Sequence, residues 1–384
     1  VGIDSLQGGT LKSITVLGGI EGGPGAASGS IASGGNITTA KIGTAANQPA
    51  DVLKGGEGRM SGTISANGRI GSATLFGSVI GGAGQQSGGI FAIERSDARL
   101  DEVPGSIGTL KISGSLTGGT GAQSGRIAID GGIGLLTVAA VTGGTGIESG
   151  SVRTGLGVFG SGDITSMNIT TSLAAASTNA GADSASIVAG GRILALSIAS
   201  NVTEGAIRAA DSIGKLSIGG NVESAIVTAR GAVAQTTTTD LAIASVTVKG
   251  NVTNSQFLAG YSISGADVNP DAQIGTIAVV GNWTASSIAA GVAKGGGDGF
   301  GDPLNVKASG SDSETIVSRI ASIAIAGTAT AAGASAIHAF TAQHIVKMKV
   351  GSTVLAFDAT PGNQALAVGT APSNLVAREI PLVG

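Results

Sequence analysis

Residues 193–212 read Ile193-Leu-Ala-Leu-Ser-Ile-Ala-Ser-Asn-Val-Thr-Glu-Gly-Ala-Ile-Arg-Ala-Ala-Asp-Ser212, and Ile213-Gly-Lys-Leu-Ser-Ile218 then opens the same pattern again. In I-x-x-L-x-I the residues three and five after the start alternate, so Leu196 and Ile198 share one face of a short strand. Ile207 follows Ile193 by 14 residues and precedes Ile213 by 6, which closes a minimal unit of 20 residues. Strands this short bury too little surface alone and must pair with equivalent strands above and below.

Working outward, the same start recurs at Leu11, Ile37, Ile70, Ile107, Ile133, Ile164, Ile243, Ile274, Ile320 and Ile345, twelve in all. A second strand of the form S-x-I-x-A is centred on Ile31, Ile64, Ile90, Ile127, Val152, Ile187, Ile207, Ile226, Phe257, Ile288 and Ile337. The six-residue step returns from Ile31 to Ile37, Ile64 to Ile70, Ile127 to Ile133 and Ile187 to Ile193. Two independent spacings thus predict an all-β parallel β-helix, a solenoid of about twelve coils, with the right-handed turn that parallel crossovers take. At about 4.8 Å per coil, it would form a rod on the order of 55–60 Å long. A leucine-rich repeat would need L-x-x-L-x-L-x-x-N and a helical return, whereas these returns are short and glycine-rich. The repeat covers residues 1–352, and 353–384 break it as a carboxy-terminal capping segment.

Glycine sits seven residues after several starts (Gly114, Gly220, Gly250, Gly281, Gly327), where a corner with positive φ is expected. Asparagine follows it at Asn221, Asn251 and Asn282, and Asn201 holds the same offset, so stacked corners predict an asparagine ladder. The N-x-T sequons at Asn168, Asn201, Asn251 and Asn282 read as turn chemistry rather than glycosylation acceptors. Extra residues enter at two places. Between the strands lie similar loops at 22–29, 81–88, 118–125 and 143–150, of the type Gly81-Gly-Ala-Gly-Gln-Gln-Ser-Gly88, expected to line one edge as a glycine-rich row. After the second strand come longer excursions at 91–106, 227–242, 258–273 and 289–319, where solenoids place binding functions.

Composition fits thin aliphatic layers: 68 glycines in 384 residues, 42% hydrophobic residues but only 2% aromatic. The glycines do not recur every third residue, which excludes collagen. With 12% charged residues, a net charge of −3 and no basic run, nucleic-acid binding is not expected. Cysteine is absent, which excludes disulfides and thiolate chemistry. Mean hydropathy is positive, yet no apolar run approaches the ~18 residues of a membrane span. The chain opens at Val1 without a signal-peptide pattern and reads as a mature chain or an excised fragment.

Chemistry-bearing clusters are few. Glu204 and Glu223, with Asp211 and Arg208 near by offset, are the closest approach to the paired carboxylates of a carbohydrate-cleaving solenoid. Solvated surface charge explains them, so no enzyme is expected. His338 and His344 lack a third ligand for zinc and read as surface or edge residues. In Gly295-Gly-Gly-Asp298-Gly-Phe-Gly-Asp302-Pro-Leu-Asn305, the oxygens of Asp298, Asp302 and Asn305 could wrap a calcium ion, although the nonapeptide of calcium-binding β-rolls is missing.

The repeats I-G-x-L-x-I-x-G-x-[VL] and S-x-I-x-A-G resemble those of large secreted β-strand-repeat proteins of planctomycetes and verrucomicrobia, of autotransporter- or adhesin-like type. Ser318-Arg-Ile-Ala-Ser-Ile-Ala-Ile-Ala-Gly327, Phe340-Thr-Ala-Gln-His-Ile345 and Leu375-Val-Ala-Arg-Glu-Ile380 are similar to that family's closing segment. The loop at 295–305 looks like its glycine/aspartate insertion without the usual paired aspartates. The resemblance implies an extracellular or cell-surface module within a longer polypeptide and transfers no functional residues. The expected function is structural or adhesive, with self-association through coil ends or flanking domains. The alternatives are a solenoid that binds or cleaves carbohydrate, including cell-surface glycans, and a calcium-dependent surface module.

Overall fold

The computed structural model describes residues 3–5, 9–48, 51–93, 104–156, 162–175, 180–232, 239–295, 299–311, 313, 315–331, 338–362, 364–369 and 375–382. The chain is an all-β parallel solenoid of roughly twelve coils whose strands fall into three long parallel sheets. It divides into two compact units, residues 1–199 and 200–384.

Each of the twelve predicted starts lies in a strand of one sheet. In the first unit Ile37, Ile70, Ile107, Ile133 and Ile164 face one another in turn, and Ile164 faces Ile193. In the second, Ile213, Ile243, Ile274, Ile320 and Ile345 do the same. The positions three and five later stack likewise, as in Leu216–Val246–Ile277–Ile323. These columns are buried because every second side chain of a strand points inward, and in-register stacking puts like upon like.

A third strand, two residues long, follows the glycine corner and was not anticipated. It is Leu53–Lys54, Leu116–Thr117 and Val141–Thr142 in the first unit, and Val202–Thr203, Val252–Thr253 and Trp283–Thr284 in the second. Each coil is therefore three-sided, with one inward residue from every short strand. Trp283 occupies this column between Val252 and Ala329. Its ring lies 5.8 Å from Phe257 and 5.3 Å from Phe340, and its indole N–H donates to the Ser286 carbonyl at 3.0 Å. A large side chain is thus followed by a small one, which keeps the layers closely filled.

Two strand centres are corrected. Val227, not Ile226, faces Ile207, exactly one 20-residue unit away, and Val227 is buried while Ile226 is 37% exposed. A slip of one residue exchanges the faces of a strand. Ile337 lies outside the described residues, and the residue that faces Ile288 is Phe340.

The corner glycines also have a different cause from the one expected. Gly114, Gly220, Gly250, Gly281 and Gly327 are absent from the residues with positive φ. Instead, a Cβ on Gly220, Gly250, Gly281 or Gly327 would stand 2.2–2.4 Å from the Oδ1 of Asn201, Asn221, Asn251 or Asn282, one coil earlier. Those oxygens form the predicted ladder, but through backbone rungs. Asn201 accepts from the Asn221 N–H, Asn221 from Asn251 and Asn251 from Asn282, each at 2.8 Å, and Asn282 accepts from Thr328 at 2.9 Å. Asn168 stands apart from this ladder, on the outer side of the strand Ile164–Ile169.

Positive φ is found on the opposite side of the short strand, at Glu204 (52°), Ser224 (51°), Asn254 (49°) and Ala285 (48°). In the carboxy-terminal region two sheets end in antiparallel pairs. Thr353–Leu355 runs back along Met348–Val350, and Ala365–Ala367 along Val376–Glu379. At the other end, the inward Leu11, Ile14, Val16 and Ile20 are only half-buried, whereas Ile37, Ala40, Ile42 and Leu53 of the next coil are closed off.

Candidate functional site

Of the proposed calcium ligands, Asp298 lies outside the described residues. The Asp302 carboxylate accepts the Leu304 N–H at 2.7 Å, and the Asn305 side-chain oxygen accepts the Gly295 N–H at 3.3 Å. Both side chains are therefore engaged in closing their own loop. Among the described residues, no three of His, Asp and Glu gather closely enough to hold a metal ion.

Glu204 and Glu223 do lie on consecutive coils, and the Glu204 N–H donates to the Glu223 carbonyl at 2.9 Å. Their side chains are exposed, and Glu223 faces Thr203 rather than Glu204. Arg208 stands on the next strand, where its guanidinium donates to the Ile263 carbonyl at 3.2 Å. His344 is more than an edge residue, since its Nδ1 lies 3.1 Å from the buried Glu379 carboxylate, which also accepts the Ile345 N–H at 2.9 Å. Burial holds the His338 imidazole below its usual pKa.

The glycine-rich loops of the first unit form the expected row, joined by another at 55–62. Gly58 donates to Gly23, Gly84 to Gly56, Gly121 to Gly82 and Gly146 to Gly119, all through backbone bonds of 2.9–3.0 Å. Within each loop the serine hydroxyl accepts a glycine N–H, as Ser87 does from Gly82 at 3.0 Å. The residue before that serine is left-handed in every loop and points along a common column. There the Gln86 amide donates to Gln123 at 3.0 Å and the Gln123 amide to Glu148 at 2.9 Å. Glu148 is also held by Arg126 at 2.8 Å and Arg153 at 3.0 Å, and Arg153 reaches Asp183 at 3.2 Å. Burial pushes Arg126 down to about 10, against the pull of Glu148 and with a small push from Arg153. The amides and ion pairs of this polar column tie successive coils together, although the Nε of Arg126 and that of Arg153 are buried without a hydrogen-bond partner.

The enclosed feature of the second unit is different. A cleft of about 290 Å³ opens on the outer side of the sheet formed by Ala206–Ala209, Ile226–Ala229 and Gln256–Ala259. Arg208, Thr228 and Leu258 face one another across three coils to make one row of its floor, and Ile226 and Gln256 make the next. Its walls are the excursions. Tyr261 bridges to Asp267 in one, and its hydroxyl donates to the Val292 carbonyl of the other at 2.8 Å. Burial first, then the nearby Asp267 charge, pushes the Tyr261 phenol well above its ordinary pKa. Burial alone would raise the Asp267 carboxyl, but the N–H and hydroxyl of Ser309, at 2.8 and 2.9 Å, outweigh it and hold the group below the usual carboxylate range. Lys294 lies 4.9 Å from the Phe300 ring centre, which places its ammonium at the rim.

Sequence reasoning marked Arg208 for a different partnership and missed Tyr261, Asp267 and Lys294. Their excursions carry no repeat. The polar column was more accessible, because aligning the loops puts Gln86, Gln123 and Glu148 at one offset. No helix is long and apolar enough to cross a membrane among the described residues. No family model matches the chain, and no curated protein or solved structure matches it either.

Proposed function

We propose that this chain is a non-enzymatic structural or adhesive module of a secreted or cell-surface protein, serving as a rigid spacer, fibre segment or matrix component. The observation that carries this reading is that even the loops are bonded from coil to coil, glycine to glycine, through five consecutive turns of the first unit. Loops that bind or act on substrates are usually drawn from the least stable parts of a fold; these are built as part of the scaffold. The resemblance of the repeats to secreted β-strand-repeat proteins supports the same reading and an extracellular or cell-surface location.

Self-association would follow from the first coil. Its strand Leu11–Val16 pairs on one side with Ile37–Ile42, its inward aliphatics are half-exposed, and Leu17 is 71% exposed. A strand edge with no further partner among the described residues, beside apolar surface, invites a further strand, and a second copy of this chain is the occupant we propose. Light scattering after size exclusion, across a concentration series, should show assembly that rises with concentration and weakens in Ile14→Glu. A strict monomer at the highest concentration would remove this part of the proposal.

A further inference from the structure

The geometry points to a docking face for a linear polyuronate, a polysaccharide with one carboxylate on each ring, on the outer side of the long-strand sheet in the first unit. The inference stands on that face alone and depends neither on the scaffold reading nor on assembly through the first coil.

Three observations converge. First, the face carries charge of one sign. The strands Leu11–Val16, Ile37–Ile42, Ile70–Leu75 and Ile107–Ile112 are neighbours in consecutive coils, and each brings one cation: Lys12, Lys41, Arg69 at the corner before Ile70, and Lys111. All four residues are exposed, and none forms an ion pair among the described residues. Lys41 leans over the Phe76 ring at 5.2 Å from its centre. No Asp or Glu occurs in any strand of this sheet from Leu11 to Ile198, although the whole chain has a net charge of −3. At the corner before Ile164, Asp163 is held by Arg192 at 2.6 Å. Second, every other outward residue of the four strands is Ser, Thr or Gly. Ser13, Thr39, Ser72 and Thr109 face one another in one column, and Thr15, Lys41, Thr74 and Lys111 in the next. These hydroxyls have no partner among the described residues and are open to solvent, so sugar hydroxyls can bond them without displacing a protein contact. Third, the step matches. Coils lie ~4.8 Å apart, about the length of one sugar ring, so one cation per coil meets one carboxylate per ring.

The cations are offset from side to side, but the flexible four-carbon stem of lysine lets each ammonium follow a chain laid along the coils. Arg69 lies across the face, with Nη2 2.9 Å from where a Gly108 Cβ would stand, at the rim of a shallow depression of about 390 Å³ floored by Gly108 and Gly134. Glycine there lets a ligand lie close against the sheet. Other polyanions fit less well. The outward residues of the four strands include no aromatic ring on which a base could stack. They also include no large apolar side chain to enter a bilayer surface.

The test is calorimetric titration of the full chain with oligogalacturonate at low salt. Dextran, dextran sulfate, duplex DNA and phosphatidylglycerol vesicles serve as the separate arms. Oligogalacturonate is expected to bind tenfold or more tightly than dextran, and more tightly than the other three. Its affinity should fall severalfold as salt is raised, because exposed charges are screened. Lys41→Gln combined with Lys111→Gln should weaken it tenfold or more while leaving the melting temperature within a few degrees. Lys54→Gln removes the same kind of charge from the short-strand sheet, where Lys54 lies 3.6 Å from Glu21, and should leave the affinity unchanged. Equal binding of dextran would mean that the cations play no part, and an equal loss in Lys54→Gln would mean that only overall charge matters. Either result overturns the proposal, as does tighter binding of the sulfated glycan, the DNA or the vesicles, or unchanged affinity in the folded double variant. Should that variant fail to fold, Lys12→Gln and Lys111→Gln, made singly, carry the same comparison, each with an expected loss of threefold or more.

Discussion

A glycine at residue 220, 250, 281 or 327 is required by its neighbour rather than by its own backbone. The amide oxygen of Asn251 occupies the space a Gly281 methyl would need, 2.4 Å from the ideal Cβ position, with the Gly250 carbonyl 2.5 Å away. Overpacking of this kind destabilises by about 1–3 kcal/mol, so Gly281→Ala should lower the denaturation midpoint by that amount at an unchanged slope. Asn251→Ala leaves the notch open but removes the acceptor of the Asn282 N–H, a loss of about 1 kcal/mol. Because the Gly250 carbonyl remains in place, the double variant should recover only part of the Gly281→Ala loss. Full additivity would mean that the two residues do not touch. The presence of glycine and asparagine at these offsets was legible in the sequence, but not its cause. A composition with 68 glycines suggests conformational freedom first, and only stacking reveals that one coil's side chain fills another's missing one.

Strands were legible in proportion to their length and to the contrast between their faces. The long strand carries three inward aliphatics at fixed offsets, and eleven of the twelve starts fall within it, Ile345 lying in a two-residue strand of the same sheet. The short strand contributes a single inward residue, such as Val202, and one residue has no period. Ile226 and Val227 are adjacent, β-branched and equally apolar, so nothing local separates core from surface. The parallel register does separate them, and charge substitution makes the distinction measurable. Val227→Asp buries a carboxylate between Ile207 and Phe257 and should abolish cooperative folding of that region, whereas Ile226→Asp should shift stability by less than about 1 kcal/mol. Circular dichroism melts of the two variants decide it. The cleft was the least legible part, because Arg208, Thr228, Tyr261, Asp267 and Lys294 come from separate strands and excursions with no common spacing. Their convergence is a product of loops folding back over the outside of a sheet.

Along the axis of each unit, a coil is supported mainly by its immediate neighbours, so stability is a sum of coil and interface contributions rather than one shared core. Among the described residues of the first unit, the strand Leu11–Val16 has a single partner, whereas Ile107–Ile112 is paired on both sides. Amide hydrogen exchange should therefore be fastest in the first coil and slow by at least tenfold towards Ile107, since local opening there breaks one interface instead of two. Uniform protection from Leu11 to Ile112 would show that the unit opens as a whole. The interlock between asparagine and glycine carries a further consequence for how such a chain can grow or shrink. Bump and notch sit in successive coils, so excising residues 222–251 would bring Asn221 against Gly281, and the same fit would re-form at the splice. Whole turns can thus be duplicated or lost without redesign, while a change of one atom at either half of the joint is felt at once. Length is the variable this architecture leaves open to inheritance; the shape of the seam is not.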